Sequence, residues 1–465
     1  MFIKSIHIKN FRLFSDDSYF EIMDLNIPDG QHQGSGLTIF VGENGCGKSS
    51  LLDAFALPYV SYKADSFSLA DINNPENKVE INILTNEVYT YKGTMPRVEY
   101  KGKGFSFHGG VRTRGNRGFL SSMVVTDQKY IKADGEAKPD DNAPDLRLSV
   151  NNPWSGSRFS DIEFLILDKN RTFQTRKGTY NDTRFDRLME DLSYKYIQTD
   201  GKPVDINEQL NTITGTQNEG IEEAIAKFAR ITGNTVQLNL IDNWKPFLNA
   251  YFGVKKENLQ SIPLNYLGSG YEMIFSLIYS YFLSKRGNKK LIILIDEPEL
   301  HLHPKLQSDF ISLLLEFSKD SQVILSTHSP LFVKQAMVNE KVRTKILSKT
   351  GNSVSVANPT SAVLPYVSAN EINYIAFTLA TAEYHNELYG FIEAEGWLPT
   401  FRNGKPTMNY IKIQRGGRTT TEQIILTDYI RHQIHHPENT NNIRFTNTQL
   451  NDSISLMRDF IEAQP

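Results

Sequence analysis

Residues 37–52 (LTIFVGENGCGKSSLL) decide the fold of this chain. The first five are apolar or β-branched, which predicts a buried strand. A glycine-rich loop follows at 42–49, and after it Leu51, Leu52, Phe55 and Ala56 recur at helical spacing. The order strand, glycine-rich loop, helix predicts the opening of an α/β domain.

The loop fits the pattern G-x-x-x-x-G-K-[ST], in which glycines let backbone N–H groups hold phosphate oxygens at a helix N-terminus. Lys48 is predicted to reach the β- and γ-phosphates of ATP, and the Ser49 hydroxyl to bind Mg²⁺. A chance glycine-rich turn is the alternative, and its place between a buried strand and a helix argues against it. The predicted nucleotide contacts are Gly42, Glu43, Asn44, Gly45, Cys46, Gly47, Lys48, Ser49 and Ser50.

An acidic pair follows a second aliphatic run. Residues 291–295 (LIILI) predict a central, buried parallel strand, and Asp296 and Glu297 come directly after it. Ligand-binding groups of α/β sheets lie at such carboxyl ends, so Asp296 is predicted to hold Mg²⁺ and Glu297 to polarise the attacking water. A solvated acidic turn is the alternative, although carboxylates in this position need compensating charge. His328, after the next buried strand at 323–326, is predicted to reach the γ-phosphate.

A small-residue turn at 268–270 (GSG) precedes an apolar helix. A helix N-terminus of this kind can approach a phosphate closely. Because the sheet already has its own phosphate loop, Ser269 and Gly270 are predicted to face the nucleotide of a second subunit. A plain helix-opening turn is the alternative.

Together with the opening Asn10-Phe11-Arg12, these motifs resemble the ABC-type ATPases of the SMC, RecF and OLD kind. The block at 296–304 (DEPELHLHP) is typical of OLD-like proteins and of ATPases in bacterial antiphage systems such as the Septu ATPase subunit. The resemblance implies a homodimer, or a higher even-numbered oligomer, that closes head-to-tail over ATP. Each nucleotide then lies between one phosphate loop and the partner's signature motif, a role that Ser269 and Gly270 take in this chain. The order Leu-Gly-Ser-Gly at 267–270 departs from the family's Leu-Ser-Gly-Gly, which leaves the contacting hydroxyl and the hydrolysis rate open. Gln128 is a candidate for the family's glutamine loop.

The predicted fold class is α/β: a P-loop ABC ATPase head, with a mixed sheet and flanking helices, an inserted α+β region and a small, mainly helical C-terminal module. The predicted domains are an N-terminal lobe with the phosphate loop at 1–60, an insertion at 61–260, a C-terminal lobe with signature, acidic pair and His328 at 261–360, and the helical module at 361–465. Strand alternation at 79–84 and 98–100, a turn-rich break at 101–104 and helices at 185–196 and 221–231 are predicted in the insertion.

The tail raises the question of a second activity. Ser368 and Glu371 predict a capping box, and further helices are predicted near 422–436 and 449–460. OLD-type relatives carry a metal-dependent nuclease there, but the tail has no Asp-x-Asp, so that nuclease is predicted to be absent. Arg431 and His436 resemble the R-x4-H motif of HEPN ribonucleases. The alternative is a solvated helix end whose histidines complement the helix dipole.

The composition of the chain restricts the functional classes that remain. A net charge of −3 over 465 residues indicates that nucleic-acid contact, if present, is local. One candidate is a basic cluster in the insertion, Lys101, Lys103, Arg112, Arg114 and Arg117, interleaved with Tyr100, Phe105 and Phe107, which could stack on bases. Solvated loop tips are the alternative. A single cysteine and the lack of a long apolar stretch predict a cytoplasmic protein without a membrane span.

The preferred functional hypothesis is an ATPase sensor or scaffold of an antiphage system that regulates a separate nuclease effector through ATP-dependent dimerisation. One alternative is a self-contained ABC–HEPN ribonuclease that uses Arg431 and His436. Another is a RecF-like or SMC-like DNA-repair ATPase.

Overall fold

The computed structural model of the protein describes residues 1–58, 67–92, 99–112, 117–126, 147–150, 162–167, 174–175, 181–182, 219–239, 251–254, 262–286, 290–414 and 417–464. Its strands are β1 (Ile3–Lys9), β2 (Phe20–Ile22), β3 (Leu37–Val41), β4 (Val79–Lys92), β5 (Glu99–Arg112), β6 (Arg117–Thr126), β7 (Arg147–Val150), β8 (Ile162–Leu167), β9 (Gln174–Thr175), β10 (Asn181–Asp182), β11 (Val236–Asn239), β12 (Tyr251–Val254), β13 (Ile262–Pro263), β14 (Lys290–Asp296), β15 (Gln322–Ser326), β16 (Arg343–Thr350), β17 (Ser353–Ala357), β18 (Thr407–Ile413) and β19 (Thr419–Ile425). Its α-helices are α1 (Lys48–Ala56), α2 (Glu219–Thr232), α3 (Leu264–Leu267), α4 (Ser269–Arg286), α5 (Pro304–Phe317), α6 (Pro330–Met337), α7 (Ala369–Phe377), α8 (Ala382–Ala394), α9 (Leu398–Arg402), α10 (Leu426–His435) and α11 (Asn447–Glu462). Short 3-10 turns occupy Leu69–Asp71 and Pro298–His301.

The first sheet carries the predicted nucleotide-binding motifs. Its order is β17-β16-β3-β15-β14-β8, and all its strands are parallel except the edge strand β17. All residues of β3 and β15 are buried, as are those of β14 after Lys290, as expected for strands covered on both faces. The predicted mixed sheet of a P-loop ATPase head is confirmed.

A second, antiparallel sheet has the order β2-β1-β4-β5-β6-β7. The predicted turn-rich break at 101–104 is wrong, because these residues lie inside β5. The pairing of β5 with β6 shifts register between Gly102 and Gly104. Glycines in a strand often accompany such a bulge, which bends the strand without ending it. Two smaller sheets, β10-β9 and β11-β12-β13, complete this part of the described chain.

One hydrophobic cluster joins both sheets to α1. It contains Ile8 of β1, Phe40 of β3, Phe55 of α1, Ile81 of β4 and Ile292 of β14, each fully buried. Burying an aromatic or branched aliphatic side chain of this size stabilises a fold by about 1.5–3 kcal/mol. The phosphate loop is therefore fixed at both ends, by a strand and by a helix that share one core.

Residues 1–357 and 358–465 form two compact units. The second unit holds α7 to α11 and the hairpin β18-β19. The helix predicted from 422 is wrong for 422–425, which pair with β18. These four residues belong to β19, which opens with the β-branched residues Thr419, Thr420 and Thr421. Helix α10 begins only at Leu426.

The predicted cap at the start of α7 is half confirmed. The Ser368 side chain accepts a hydrogen bond from the Glu371 N–H, as an N-cap should. The Glu371 carboxylate does not complete the box. It is fully buried, accepts a hydrogen bond from the Val363 N–H at 2.8 Å and lies 3.3 Å from the Arg458 guanidinium. Glu371 thus joins α7 to the preceding segment and to α11. Within the described residues, every helix is too short or too polar to span a bilayer.

Candidate nucleotide-binding site

Three neighbouring strands bring the predicted site residues to one edge of the sheet. β3 leads into the phosphate loop, β14 ends in the acidic pair, and β15 leads to His328. β15 lies between the other two, with Asp296 opposite Ser326 and Ser326 opposite Phe40. The carboxyl ends of parallel neighbours meet at the same edge of a sheet, which explains how residues hundreds of positions apart share one site.

The phosphate loop turns through three glycines with positive φ, Gly42, Gly45 and Gly47. The first also allows a close approach, because a Cβ at Gly42 would lie 2.2 Å from the Leu347 carbonyl oxygen of β16. Any other residue there would push the loop away from the sheet. At the loop tip, Glu43, Asn44 and Gly45 are exposed.

Lys48 is held inside the loop. Its ammonium donates hydrogen bonds to the carbonyl oxygens of Gly42 and Glu43, each at 2.9 Å, and only 4% of the residue is exposed. Burial lowers its pKa, whereas Cys46, Glu297 and Asp296 favour the charged form. The acidic pair therefore acts electrostatically on the lysine that is predicted to meet the phosphates.

The acidic pair has two different environments. Asp296 is buried and accepts a hydrogen bond from the Ser326 hydroxyl. Glu297 adopts a left-handed backbone conformation (φ 45°, ψ 59°), and its N–H donates to the Ser326 carbonyl at 3.0 Å. Its Oε1 lies 3.2 Å from Nε2 of His328, and the two side chains are 13% and 28% exposed. Glu297 and His328 are thus in contact with each other and partly exposed to solvent.

The candidate metal ligands are of the type that Mg²⁺ prefers. Ser49 supplies a half-buried hydroxyl and Asp296 a carboxylate, and Mg²⁺ prefers such oxygen ligands together with waters and phosphate oxygens. Ser326, by donating to Asp296, holds that carboxylate in one orientation.

Glu299 is a site residue that the sequence reasoning missed. Its Oε1 accepts a hydrogen bond from the backbone N–H of His328, so the side chain fixes the start of the His328 loop. Burial raises the pKa of its carboxyl group, and the bond from the His328 N–H opposes that effect. The signal in the sequence was a second glutamate directly after Asp-Glu-Pro.

The signature residues Ser269 and Gly270 begin α4 and touch the 3-10 turn that follows the acidic pair. Ser269 Oγ lies 3.0 Å from Nδ1 of His301. A Cβ at Gly270 would lie 2.5 Å from the His301 carbonyl oxygen, so only glycine permits this packing. His301 is the second contact that the sequence reasoning missed.

The Asn10-Phe11-Arg12 opening braces the phosphate-loop helix. Arg12 forms ion pairs with Asp53 of α1 and, at 2.8 Å, with Asp71. Burial of the guanidinium opposes its charge, but the two carboxylates outweigh that effect and raise its pKa. Arg12, which follows β1 of the second sheet, therefore connects that sheet to α1.

The residues singled out for nucleic-acid contact and for ribonuclease activity lie in positions that suit those functions less well. Phe105 and Phe107 are 5% and 2% exposed, so the prediction that they stack on bases is wrong. Arg112 is exposed and lies over the Phe119 ring, 5.8 Å from its centroid. Arg114, Gln128 and the helix predicted at 185–196 lie outside the described residues.

Arg431 and His436 each have a carboxylate neighbour of their own. Arg431 lies 3.3 Å from Glu393 and stacks over the Tyr389 ring, 4.0 Å from its centroid. His436, the residue that caps the end of α10, lies 3.1 Å from Glu438. These contacts are those of a helix surface and helix end.

Comparison with known proteins agrees with the geometry. A family profile described as "AAA ATPase domain" matches residues 1–202 and 160–333. The chain is 23% identical to the OLD nuclease of Thermus scotoductus over 350 residues, which cover 71% of this chain and 59% of that protein. It is 29% identical to the Septu protein PtuA of Bacillus thuringiensis over 145 residues, 28% of this chain and 35% of that one. The chain thus spans under two thirds of the length of either relative.

Among solved structures, the Smc head bound to the C-winged helix domain of ScpA aligns with a TM-score of 0.45 at 16% identity. The alignment covers 77% of this chain and 97% of that one.

Proposed function

The chain belongs to the AAA ATPase domain family, and from that premise we propose that it binds ATP and hydrolyses it between two copies of itself. The observation that carries the proposal is the meeting of Lys48, Glu297 and His328 at adjoining strand ends of one sheet. Each group has a distinct task in phosphoryl transfer, and the closeness of the three strand ends supports a shared phosphate site.

The loop N–H groups and Lys48 hold the β- and γ-phosphates, and Lys48 neutralises charge that builds on the γ-phosphate oxygens. Ser49 and Asp296 would hold Mg²⁺, which would supply positive charge to stabilise the phosphates during the reaction. Glu297 accepts a proton from the attacking water while the bond between the γ-phosphorus and the β,γ-bridging oxygen breaks, which leaves ADP and inorganic phosphate. His328, 3.2 Å from Glu297, orients that carboxylate and faces the γ-phosphate.

The signature supports a second copy as the partner in this reaction. Ser269 opens α4, where helix N–H groups can meet a phosphate. Large apolar side chains flank it: Tyr266, three residues earlier, is 79% exposed, and Leu300, next to His301, is 63% exposed. Exposed apolar groups beside a polar helix terminus suit a surface that becomes buried when two copies close.

Mixing two inactive variants tests the shared site. Lys48→Ala disables the phosphate loop, and Ser269→Arg blocks the signature by bulk. In a head-to-tail dimer of one copy of each, one of the two sites draws its loop and its signature from intact copies. An equal mixture is therefore expected to recover about a quarter of the wild-type ATPase rate, although each variant alone is inactive.

The matched control mixes Lys48→Ala with Glu297→Gln. Both residues belong to the same half of a site, so every site in the mixed dimer carries one defect and no activity should return. Recovery in this control, or none in the first mixture, would contradict a site built from two copies.

We further propose that this ATPase is a sensor or scaffold that regulates a separate nuclease effector in antiphage defence. The similarity to the Septu protein PtuA and to an OLD nuclease supports it. The chain, tagged and expressed with its neighbouring genes, is expected to retain a nuclease partner identified by mass spectrometry. Glu297→Gln, locked in the ATP-bound dimer, should retain more of it than Lys48→Ala. A chain that always purifies alone would contradict this role.

A further inference from the structure

The hairpin of β18 and β19 is a two-stranded sheet, so each of its strands has an outer edge. The outer edge of β18 is covered at Ile411. Asn442 accepts a hydrogen bond from the Ile411 N–H at 2.8 Å and donates one to the Ile411 carbonyl at 2.9 Å, and Asn439 donates to the same carbonyl at 2.8 Å. Side chains therefore occupy the main-chain groups that another strand would need.

The outer edge of β19 has no such cover. Because the main-chain groups of Ile411 point away from β19, Ile411 and the opposite residue, Thr421, form a non-hydrogen-bonded pair of the ladder. Thr421 and its alternate neighbours Thr419 and Gln423 therefore direct their N–H and carbonyl groups outward. In the part of residues 358–465 that the structure describes, these outward groups have no hydrogen-bond partner.

The sequence of β19 lacks the features that usually protect an open edge. Its seven residues (TTTEQII) include neither proline nor lysine. The side chains of Thr419 and Thr421 are exposed, and Ile413, opposite Thr419 on β18, is 45% exposed. Because β-branched side chains favour extended pairing, this edge is suited to receive another strand.

The charges beside this edge match a second copy of the same edge. Arg418, directly before β19, is exposed, and the Glu422 side chain is 41% exposed. When two β19 strands run antiparallel with their Thr420 residues opposite each other, each Arg418 lies opposite Glu422 of the partner subunit. The Oε1 atom of Glu422 lies 3.2 Å from Lys412, and the carboxylate has a second oxygen for Arg418. A register centred on Glu422 would instead bring two negative charges together.

We propose that β19 pairs antiparallel with β19 of a second copy, across a two-fold axis at Thr420, so that two hairpins form one four-stranded sheet. Thr419 of one copy exchanges two main-chain hydrogen bonds with Thr421 of the partner subunit, and the symmetry repeats this pair. Two ion pairs between Arg418 and Glu422 flank these bonds. The contact needs no nucleotide. Together with the proposed ATP-linked dimer, it gives even-numbered assemblies of more than two copies.

Cysteine cross-linking tests the pairing and its register. Thr420→Cys places two thiols at a non-hydrogen-bonded pair, where the Cα atoms lie about 4.5 Å apart, within the range that a disulfide spans. Nucleotide-free protein is expected to form a covalent dimer with diamide, which accepts the two thiol hydrogens. Thr421→Cys is the matched control, because its thiols lie opposite Thr419, and the wild type, whose Cys46 is buried, is the blank. A cross-link for Thr421→Cys and none for Thr420→Cys would overturn the register.

A proline at the edge tests the main-chain bonds. Thr421→Pro removes an outward N–H in each copy and leaves the bonds between β18 and β19 intact, so two of the four main-chain bonds between the copies are lost. The dissociation constant of the nucleotide-free dimer, measured by sedimentation, is expected to rise tenfold or more, by about the effect of two hydrogen bonds. Thr421→Val keeps the N–H and should associate as the wild type does.

Charge reversal tests the ion pairs without touching the backbone. Arg418→Glu places like charges opposite each other and should weaken the dimer severalfold, and adding Glu422→Arg to it should restore association. Equal weakening by the single and the double variant would contradict the proposed register.

The inference does not rest on the proposed function. Lys48→Ala, which is defective in the phosphate loop, should form the same nucleotide-free dimer as the wild type. A wild type that is monomeric without nucleotide, together with no cross-link in Thr420→Cys, would overturn the pairing of two copies and leave the edge to a strand of a different protein. The ATP-dependent association of Glu297→Gln would be unaffected by that result.

Discussion

Glu297→Gln is expected to lower ATP turnover by about a hundredfold or more, which is the usual contribution of a positioned general base. The amide is nearly isosteric with the carboxylate, so the turn and the contact with His328 at 3.2 Å can persist. It cannot accept the proton of the attacking water. ATP binding therefore survives while hydrolysis stops, and ATP accumulates in the closed dimer.

Two measurements check this result together. Phosphate release reports turnover, and light scattering with and without ATP reports the mass, which should double for the variant in the presence of ATP. Glu340→Gln, an exposed glutamate ahead of β16, is the matched control and should behave as wild type. Wild-type hydrolysis by Glu297→Gln would mean that another group activates the water.

Lys48→Ala is expected to weaken ATP binding by about ten- to a hundredfold, because charge-assisted hydrogen bonds to phosphate contribute about 1.5–3 kcal/mol each. The loss has a second source. Asp296 and Glu297 lose the cation that favours their charges, so triphosphate would meet uncompensated carboxylates. The variant should keep its fold, since the loop glycines and the core around α1 are unchanged.

Thermal unfolding gives a direct readout of this prediction. A ligand at about one hundred times its dissociation constant stabilises the native state by about 2.7 kcal/mol, and Lys48→Ala should lose most of that gain at the same ATP concentration. Lys349→Ala changes an exposed lysine of neighbouring β16 and should retain the full shift. An undiminished ATP-induced shift in Lys48→Ala would remove this lysine from the site.

The parts of the site that local order specifies could be predicted from the sequence. A buried strand followed by a glycine-rich loop and a helix has few structural solutions, and so has an aliphatic strand that ends in two carboxylates. Adjacent strand ends then bring Lys48, Asp296 and His328 to one edge. The contacts of Glu299 and His301 were not predicted. Both residues lie in one turn, but their partners lie in two other parts of the chain, and the spacing of residues along the chain does not show how these parts are oriented.

The errors elsewhere have similar causes. Phe105 and Phe107 lie among basic residues in the sequence, which suggested a nucleic-acid surface, although both rings belong to the core. The order of residues along the chain does not show which face of a strand another layer covers. Residues 422–425 have apolar positions compatible with a helix. Their pairing with β18, which starts at Thr407, makes them a strand. In both cases a tertiary contact decided between two local structures.

The left-handed backbone of Glu297 has a consequence for how this protein could evolve or be engineered. A side chain larger than glycine in that conformation costs about 1–2 kcal/mol, and asparagine or glycine would relieve part of it. A screen for thermostability alone should therefore enrich hydrolysis-deficient clones mutated at this position. If Glu297 is the catalytic base, selection for ATP hydrolysis would have to act continually against such changes, and the strained backbone would persist only while that activity is needed.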